Sequence, residues 1–317
     1  MLAPDSAAGV SDDALSLLLG DLRIIGTAYG HGRLAAPWGI SFPHEGAARL
    51  HVVLEGQAWL TLDGEVPQRL ARGDAVFLPR GGKHLLTSTP DGKATCVSQL
   101  EMTSVAERVY CFDDCDCDRA ETVLACCSVT FNEPCLHPLL AMMPPALTVS
   151  GARCDRTLTT LLEAMAEEIL APKIGGATVL TRLADVVVTR LIRSWVEAQS
   201  AQGEPWLAAL RDPRLGRALA AMHRDPARDW TIAELAKTAG VSRSIFAERF
   251  AQTTGYPPAR YLARLRMGLA SRMLKEKRMS IGAVAQRLGY QSTPAFSRAL
   301  KRHLGRSPGA LRREPVA

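Results

Sequence analysis

The sequence predicts an α+β multidomain protein: an N-terminal β-barrel, a helical hairpin and a C-terminal all-α domain with two helix-turn-helix units. Three observations predict it. Residues 20–135 carry short alternating or apolar runs broken by Gly, Pro and Asp-Gly, without a long helical period. Between Leu158 and Trp195 two apolar stripes recur at helical spacing. From Thr231 onward one sequence unit occurs twice.

The barrel is expected over residues 14–150. "RLHVVLEGQAWLTLDGEVPQRLARGDAVFLPRGGKHLLT" reads as strands, with "LDG" and "LPRGG" as turns, and a small barrel or jelly roll follows. From Gly73 the spacing Gly-x5-Pro-x-Gly-x2-His gives Gly73, Pro79, Gly81 and His84. That spacing resembles the second motif of the cupin barrel, so the fold is read as cupin-like. The first cupin motif brings His-x-His; here His51 stands alone, with Val53 at the second place. This departure speaks against a cupin metalloenzyme, whose site needs three or four ligands. Glu55 shares strand parity with His51, but Glu55-Gly56 reads as a turn.

The hairpin is expected over residues 151–200. Leu158, Leu161, Leu162, Met165 and Ile169 share one helix face, "APKIGG" breaks the helix, and Leu180, Leu183, Val187, Leu191 and Trp195 share the next. Such a hairpin covers a barrel or pairs with its own copy. "EAQSAQGEP" begins a linker that is placed at residues 201–211.

The C-terminal domain is expected over residues 212–314. "TIAELAKTAGVSRSIFAERFAQTTGYPPARYL" from Thr231 matches "SIGAVAQRLGYQSTPAFSRALKRHLGRSPGAL" from Ser280 at an offset of 49 residues, with one later insertion. Thr231 and Ser280 are N-cap types. Ile232, Leu235 and Ala236, and Ile281, Val284 and Ala285, form apolar faces. Gly240 and Gly289 end these first helices. Each second helix turns Phe246 and Phe250, or Phe296 and Leu300, inward, which is the helix-turn-helix plan. Between the units, "PPARYLARLRMGLASRMLKE" reads as one long helix with Leu262, Leu265, Leu269 and Met273 on a stripe. Arg264, Arg266, Arg272, Lys275 and Lys277 are available along it for phosphates.

Charge agrees. Residues 211–317 hold 22 Lys and Arg against 7 Asp and Glu, a net of +15, whereas residues 1–210 hold 16 against 25, a net of −9. A basic module of this kind calls for a polyanion, and the spacing of the two units calls for double-stranded DNA. Residues expected to face bases or their flanking phosphates are Ser242, Arg243, Ser244 and Glu248 in the first unit. In the second they are Gln291, Ser292, Thr293, Ser297, Arg298 and Lys301. Glu248 is equally readable as a solvated surface charge.

"IAELAKTAGVSRSIFAERFAQTTGYPPARYLARLRM", the Ala-x-Arg-Leu-Gly-Tyr run from Ala285 and "FSRALKRHLGRSP" from Phe296 resemble the DNA-binding domain of the AraC/XylS transcription regulators. "APWGISFP", "HVVLEG", "LPRGGKHLL" and "HPLLAMMPP" resemble the cupin-type sensor half of one branch of that family. The resemblance implies a homodimer, an RNA polymerase partner and activation of transcription. Three classes stay open: a regulator whose barrel senses a signal, a cupin enzyme tethered to nucleic acid, and an architectural DNA-binding protein. The first is preferred, and the chain is read as no enzyme. A small organic effector in the barrel is the alternative signal.

His51 and His84 stand where a cupin barrel brings side chains together. With Cys126, chosen by resemblance to the sensor branch, they compose a zinc or other soft divalent metal site with an open position. Cys127, its neighbour on the strand, must point the other way. The competing reading is a pair of buried, hydrogen-bonded imidazoles. Five of the eight cysteines fall in "CFDDCDCDRAETVLACC". Cys111, Cys115 and Cys117, with Cys127 or Cys135, are read as a soft-metal loop, a redox switch or an inert loop. Cys96 and Cys154 are read as apolar fillers. No apolar run reaches the ~18 residues of a membrane helix. The N-terminus lacks a basic and then apolar leader, so a cytoplasmic protein is expected.

Overall fold

The computed structural model describes residues 14–22, 24–112, 120–131, 137–150, 156–201, 212–275 and 279–313. By their contacts these residues divide into two units: 24–131 with 143–195, and 14–22 with 137–142 and 196–313.

Short β-branched and apolar runs build the first unit. Its strands are β1 (Ile24–Leu34), β2 (Gly39–Phe42), β3 (Ala48–Glu55), β4 (Gln57–Leu62), β5 (Gln68–Ala71) and β6 (Ala75–Leu78). Then come β7 (His84–Thr87), β8 (Thr95–Cys96), β9 (Thr103–Ala106), β10 (Val109–Cys111), β11 (Thr122–Phe131) and β12 (Leu147–Val149). They form a seven-stranded sheet, β12-β6-β3-β11-β1-β10-β9, and a five-stranded sheet, β5-β4-β7-β2-β8. The result is a cupin-like jelly roll of two sheets, not a closed barrel. Leu34, Val53, Val76, Leu78 and Leu124 of the larger sheet pack with Ile40, Phe42, Leu60, Leu70 and Leu86 of the smaller, so the core lies between them. Alternation along each strand is what gives each sheet one apolar inner face.

The larger sheet has a second buried face, which carries Tyr29, Leu50, Phe77, Cys127 and Val129. Helix α3 (Arg156–Leu170) packs on β1, and Thr181 of α4 (Gly176–Ala201) stands 3.3 Å, hydroxyl to hydroxyl, from Thr27. Leu158, Leu162, Met165 and Ile169 are buried in α3, as are Leu180, Ala184, Val187, Val188, Leu191 and Ile192 in α4. Leu161, Leu183 and Trp195, placed on the apolar faces by sequence, are only half-buried because the helices seat the neighbouring stripe. Helix α4 also runs through Glu197 to Ala201, where the sequence reads as linker; 202–211 lie outside the described residues.

The second unit is helical. It comprises α1 (Ala14–Asp21), α2 (Pro138–Met142), α5 (Pro213–Arg224), α6 (Ile232–Ala239) and α7 (Arg243–Thr254). The long α8 (Pro258–Lys275) follows, then α9 (Ile281–Arg287), α10 (Thr293–Leu304) and α11 (Pro308–Arg313). Helix α1 packs on α5, and His137 donates from Nε2 to the Leu18 carbonyl at 2.8 Å. Two short stretches that flank strands β1 and β11 in sequence thus cluster with the C-terminal helices. Helix α8 buries Tyr261 and Leu262 at one end and Met267, Ala270 and Leu274 at the other. Leu265, Leu269 and Met273 are half-buried. A helix packed against both helix-turn-helix repeats buries more than the single stripe that its period shows.

Candidate functional site

The two repeated units fold alike because their caps are alike. Thr231 and Glu234 make a reciprocal capping box: Glu234 N donates to Thr231 Oγ1 at 3.2 Å, and Thr231 N donates to Glu234 Oε2 at 2.9 Å. Those bonds, with Arg228 at 2.6 Å, hold the Glu234 carboxyl down at about 2. Gly240, at φ 70°, closes α6. Ser242 then caps α7 by accepting from Ile245 N at 3.4 Å. In the second unit Ser280 caps α9 and Ser292 caps α10, accepting from Ala283 N and Ala295 N at 3.2 and 3.3 Å. Helix α7 buries Phe246 and Phe250 and leaves Arg243, Ser244, Glu248 and Gln252 exposed. Helix α10 buries Phe296, Ala299 and Leu300 and leaves Thr293, Arg298 and Lys301 exposed, with Ser297 half-buried. Gln291 and Ser292 are exposed in the turn before it.

Helix α8 joins the units. Its 18 residues are roughly 27 Å long at 1.5 Å per residue, somewhat under the ~34 Å of one DNA turn. Arg266 is not a free phosphate ligand on it. Its Nε donates to Pro226 O at 2.6 Å, and its Nη2 donates to Ala227 O and Arg228 O at 3.1 and 2.9 Å. This guanidinium fastens the loop before α6 to α8. Lys277 lies outside the described residues.

The jelly roll holds a second polar constellation. His51 on β3 lies opposite Cys126 on β11 in register, and His84 opens β7 in the other sheet. Cys126 Sγ lies 3.0 Å from His51 Nδ1, His51 Nε2 lies 2.8 Å from His84 Nε2, and His84 Nδ1 lies 2.7 Å from Gly82 O. The carbonyl can only accept, so His84 carries its proton on Nδ1 and accepts at Nε2. His51 must then donate from Nε2 and accept at Nδ1, which leaves Cys126 as the donor. The chain Cys126–His51–His84–Gly82 is fully satisfied with both imidazoles neutral. Burial favours that state: it drives His51 well below the ordinary histidine value and His84 down to about 4, and it pushes the Cys126 thiol up to about 12. Phe42 stacks on His84 with centroids 4.7 Å apart and tilts against His51 at 4.6 Å.

The three residues therefore meet, but not as one ligand set. Cys126 and His84 sit on opposite nitrogens of the His51 ring, whose lone pairs diverge, so one zinc ion cannot take all three as they stand. Glu55 is exposed at the end of β3 and does not join them. Among the described residues no three His, Cys, Asp or Glu side chains are placed to hold one metal ion.

Comparison with known proteins decides the family. A family model described as cupin matches residues 13–197, and one described as a helix-turn-helix domain matches residues 235–314. A putative AraC-like transcription regulator of Streptomyces lividans is 31% identical over 307 residues, spanning 96% of this chain and 98% of that one. This chain belongs to the AraC family of transcription regulators. The regulator AlkR of Acinetobacter baylyi is 28% identical over 95% of this chain and 99% of its own. The RCS-specific activator RclR of Escherichia coli is 26% identical over 95% and 97%. Among solved structures, the DNA-binding domain of AdpA in complex with a target DNA is 33% identical, covering 31% of this chain and 88% of that one at a TM-score of 0.30.

Within this AraC-family chain, the exposed end of α7 carries one residue that sequence reasoning passed over. Ile245 is 44% exposed in the first turn of α7, next to Arg243 and Ser244. An aliphatic group there suits a thymine methyl. The signal was present in the spacing, since Phe246 and Phe250 define the buried stripe and Ile245 falls off it. Ile232, by contrast placed on the apolar face, is also 44% exposed, at the first residue of α6. Ser242 and Ser292 spend an acceptor on capping, so only their remaining hydroxyl capacity faces outward. Glu248 Oε1 accepts from Gln252 Nε2 at 3.3 Å.

The cysteines separate by environment. Cys126 faces the interior with His51, whereas Cys127 is buried on the other face of the sheet, where burial raises its thiol well above the ordinary value. Cys111 is half-buried on β10. Cys115, Cys117, Cys135 and Cys154 lie outside the described residues. Cys96, read as an apolar filler, is instead half-exposed, and hydrogen bonding to Ser98 at 3.1 Å lowers its thiol pKa.

Proposed function

We propose that this AraC-type DNA-binding regulator is an activator that receives a small-molecule signal inside its jelly roll, through the Cys126–His51–His84 chain. The observation that carries the reading is the chain itself. Two buried imidazoles and a half-buried thiol, drawn from both sheets, are aligned by hydrogen bonds, and Cys126 also lines a cavity of about 110 Å³. A merely structural core would fill those positions with aliphatic groups at less cost in desolvation. Strands β1 and β11, which line the cavity with Gly30 and Cys126, continue in sequence toward α1 and α2, and these cluster with the DNA-binding helices. A shift of either strand thus has a short covalent route to α5, against which α1 packs.

Double-stranded DNA is the macromolecular partner, met by α7 and α10. Activation through RNA polymerase and a homodimer are inferred from the family. The exposed Val179 and Val186 on α4, 46% and 45% exposed, supply an apolar strip for a second copy. The deciding experiment is footprinting and promoter output with the DNA flanking the chain's own gene, comparing wild type with Cys126→Ala and His51→Leu. Retained operator binding with lost regulation is the expected result. Full regulation in both variants would move the receiver elsewhere.

A further inference from the structure

The cavity beside Cys126 has a definite chemical character. Ile40, Phe42, Leu100 and Phe112 give it apolar walls, and Met102 and Tyr110, 44% and 37% exposed, stand where it meets solvent. Gly32 explains why Phe112 can lie there: a Cβ at that position would come within 2.3 Å of the Phe112 ring. Arg49 also lines the cavity, two residues before His51 on the same strand face, and Ser128 opposite it lines the same wall. Arg49 spends Nη2 on Glu45 and sets its guanidinium 5.2 Å from the Phe42 ring centroid. A guanidinium has five N–H donors in all. An engineered cavity of about 150 Å³ accepts benzene, so this one suits a molecule of about four or five non-hydrogen atoms. The walls are mostly apolar and the Arg49 guanidinium is already paired with Glu45, so an uncharged ligand is favoured over an ionised one.

We infer that Cys126 is a covalent modification site for small, uncharged, conjugated carbonyl compounds (enals and enones), with His51 and His84 as its proton relay and Arg49 as partner of the carbonyl oxygen. The inference rests on the reading of the jelly roll as the receiver and names the class of signal. A thiol whose surroundings oppose the thiolate reacts only if its proton leaves as the new bond forms. The hydrogen bond of half-buried Cys126 to His51, and of His51 to His84, gives that route, and because the site opposes a free thiolate and a charged imidazole alike, proton transfer and attack go together. As Cys126 Sγ attacks the β-carbon, its proton passes to His51 Nδ1, the His51 Nε2 proton passes to His84 Nε2, and His84 is left as an imidazolium still donating from Nδ1 to Gly82 O. The C=C π pair moves toward the carbonyl oxygen, giving an enolate that the Arg49 charge stabilises. Protonation of the α-carbon, with the relay running back, restores both neutral imidazoles. In the net addition an S–H bond and a C=C π bond are replaced by an S–C and a C–H bond, and no oxidant or reductant is consumed. A peroxide or hypohalite needs neither the carbon-sized apolar space nor a cation at the far oxygen.

The test uses the full chain, methyl vinyl ketone as the probe and acrylate as its charged counterpart, with peptide mapping by mass spectrometry over time. Cys126 is expected to label at least about tenfold faster than Cys96 and Cys111 in the native protein, and acrylate, a weaker acceptor at every thiol, is expected to show no such preference for Cys126 over Cys96. General-base assistance accounts for about a hundredfold or more in rate. His51→Leu is therefore expected to slow labelling of Cys126 about that much while Cys96 is unaffected. His84→Gln keeps an acceptor for His51 but cannot take the proton, so it separates relay from packing if His51→Leu is unfolded. Labelling of Cys126 no faster than of Cys96, equal rates in His84→Gln and wild type, or modification by hydrogen peroxide but not by the enone would each overturn the inference. Promoter output is followed in the same samples. Fast labelling with unchanged output would support the chemistry and sink the receiver reading; an organic effector that changes output and leaves Cys126 unlabelled would sink the chemistry alone.

Discussion

His51 Nε2 stands 2.8 Å from His84 Nε2, so the two sheets of the jelly roll are tied through a pair of neutral imidazoles that share one proton between them. An unfolded histidine takes up its proton near 6.5, whereas His84 in the fold does so only at about 4. The unfolded chain thus binds protons first as pH falls. Stability is complete above about 6.5, declines through that window and levels off below the folded value, by at most ~1.4 kcal/mol per pH unit for one histidine. Urea unfolding at about pH 7 and about pH 5 measures the slope, to which His51 adds in the same sense, and His84→Gln is expected to reduce it by the share of one histidine. An unchanged slope in that variant would place the acid sensitivity elsewhere. The contribution of the Glu234 carboxyl, held at about 2, declines as pH falls from about 4.5 toward that value.

Specific DNA binding is expected to depend on Arg243 and Gln291. Alanine at either should cost ~1–3 kcal/mol of specific affinity at fixed salt and relax one operator position.

Ile245, exposed in the first turn of α7, is expected to pack on a thymine methyl of the operator. Replacing thymine by uracil at one operator position should then weaken the wild-type complex about as much as Ile245→Ala does. The two changes together should cost no more than either alone. Additive losses would separate Ile245 from that methyl.

Arg266 and Arg298 are both basic, yet their variants should behave differently. Arg298→Ala, exposed on α10, is expected to lower the slope of log K against log salt by about 1 with the fold intact. Arg266→Ala removes three hydrogen bonds to the carbonyls of Pro226, Ala227 and Arg228. It should leave that slope alone and cost roughly 2 kcal/mol or more of stability, read as a lower Tm.

The two repeat glycines are likewise unequal. Gly240 (φ 70°) has only Arg217 Nη2 near the place of a Cβ, at 3.7 Å, so Gly240→Ala should cost about the 1–2 kcal/mol of a left-handed residue. At Gly289 (φ 79°) a Cβ would lie 2.0 Å from the Ala227 carbonyl oxygen, which is backbone and cannot swing away. Gly289→Ala should cost ~3 kcal/mol or more. Equal Tm shifts for the pair would show that the Ala227 loop yields.

The sequence by itself determined what depends on near neighbours. Thr231, Ser242, Ser280 and Ser292 cap helices through bonds to residues three positions on, so the repeat, its turns and its two recognition helices were legible without coordinates. The same holds for the strands, whose alternation and Asp63-Gly64 turn are local. Tertiary structure decided whatever joins distant residues. Cys126 and His51 are 75 residues apart, His51 and His84 are 33 apart, and Arg266 bonds to carbonyls 38 to 40 residues away. Spacing could bring the two histidines and the cysteine to one place, but not choose between a ligand set and a line. That choice turns on which nitrogen of His51 each partner meets, and strand register and ring rotamer fix it only after both sheets have closed on their common core.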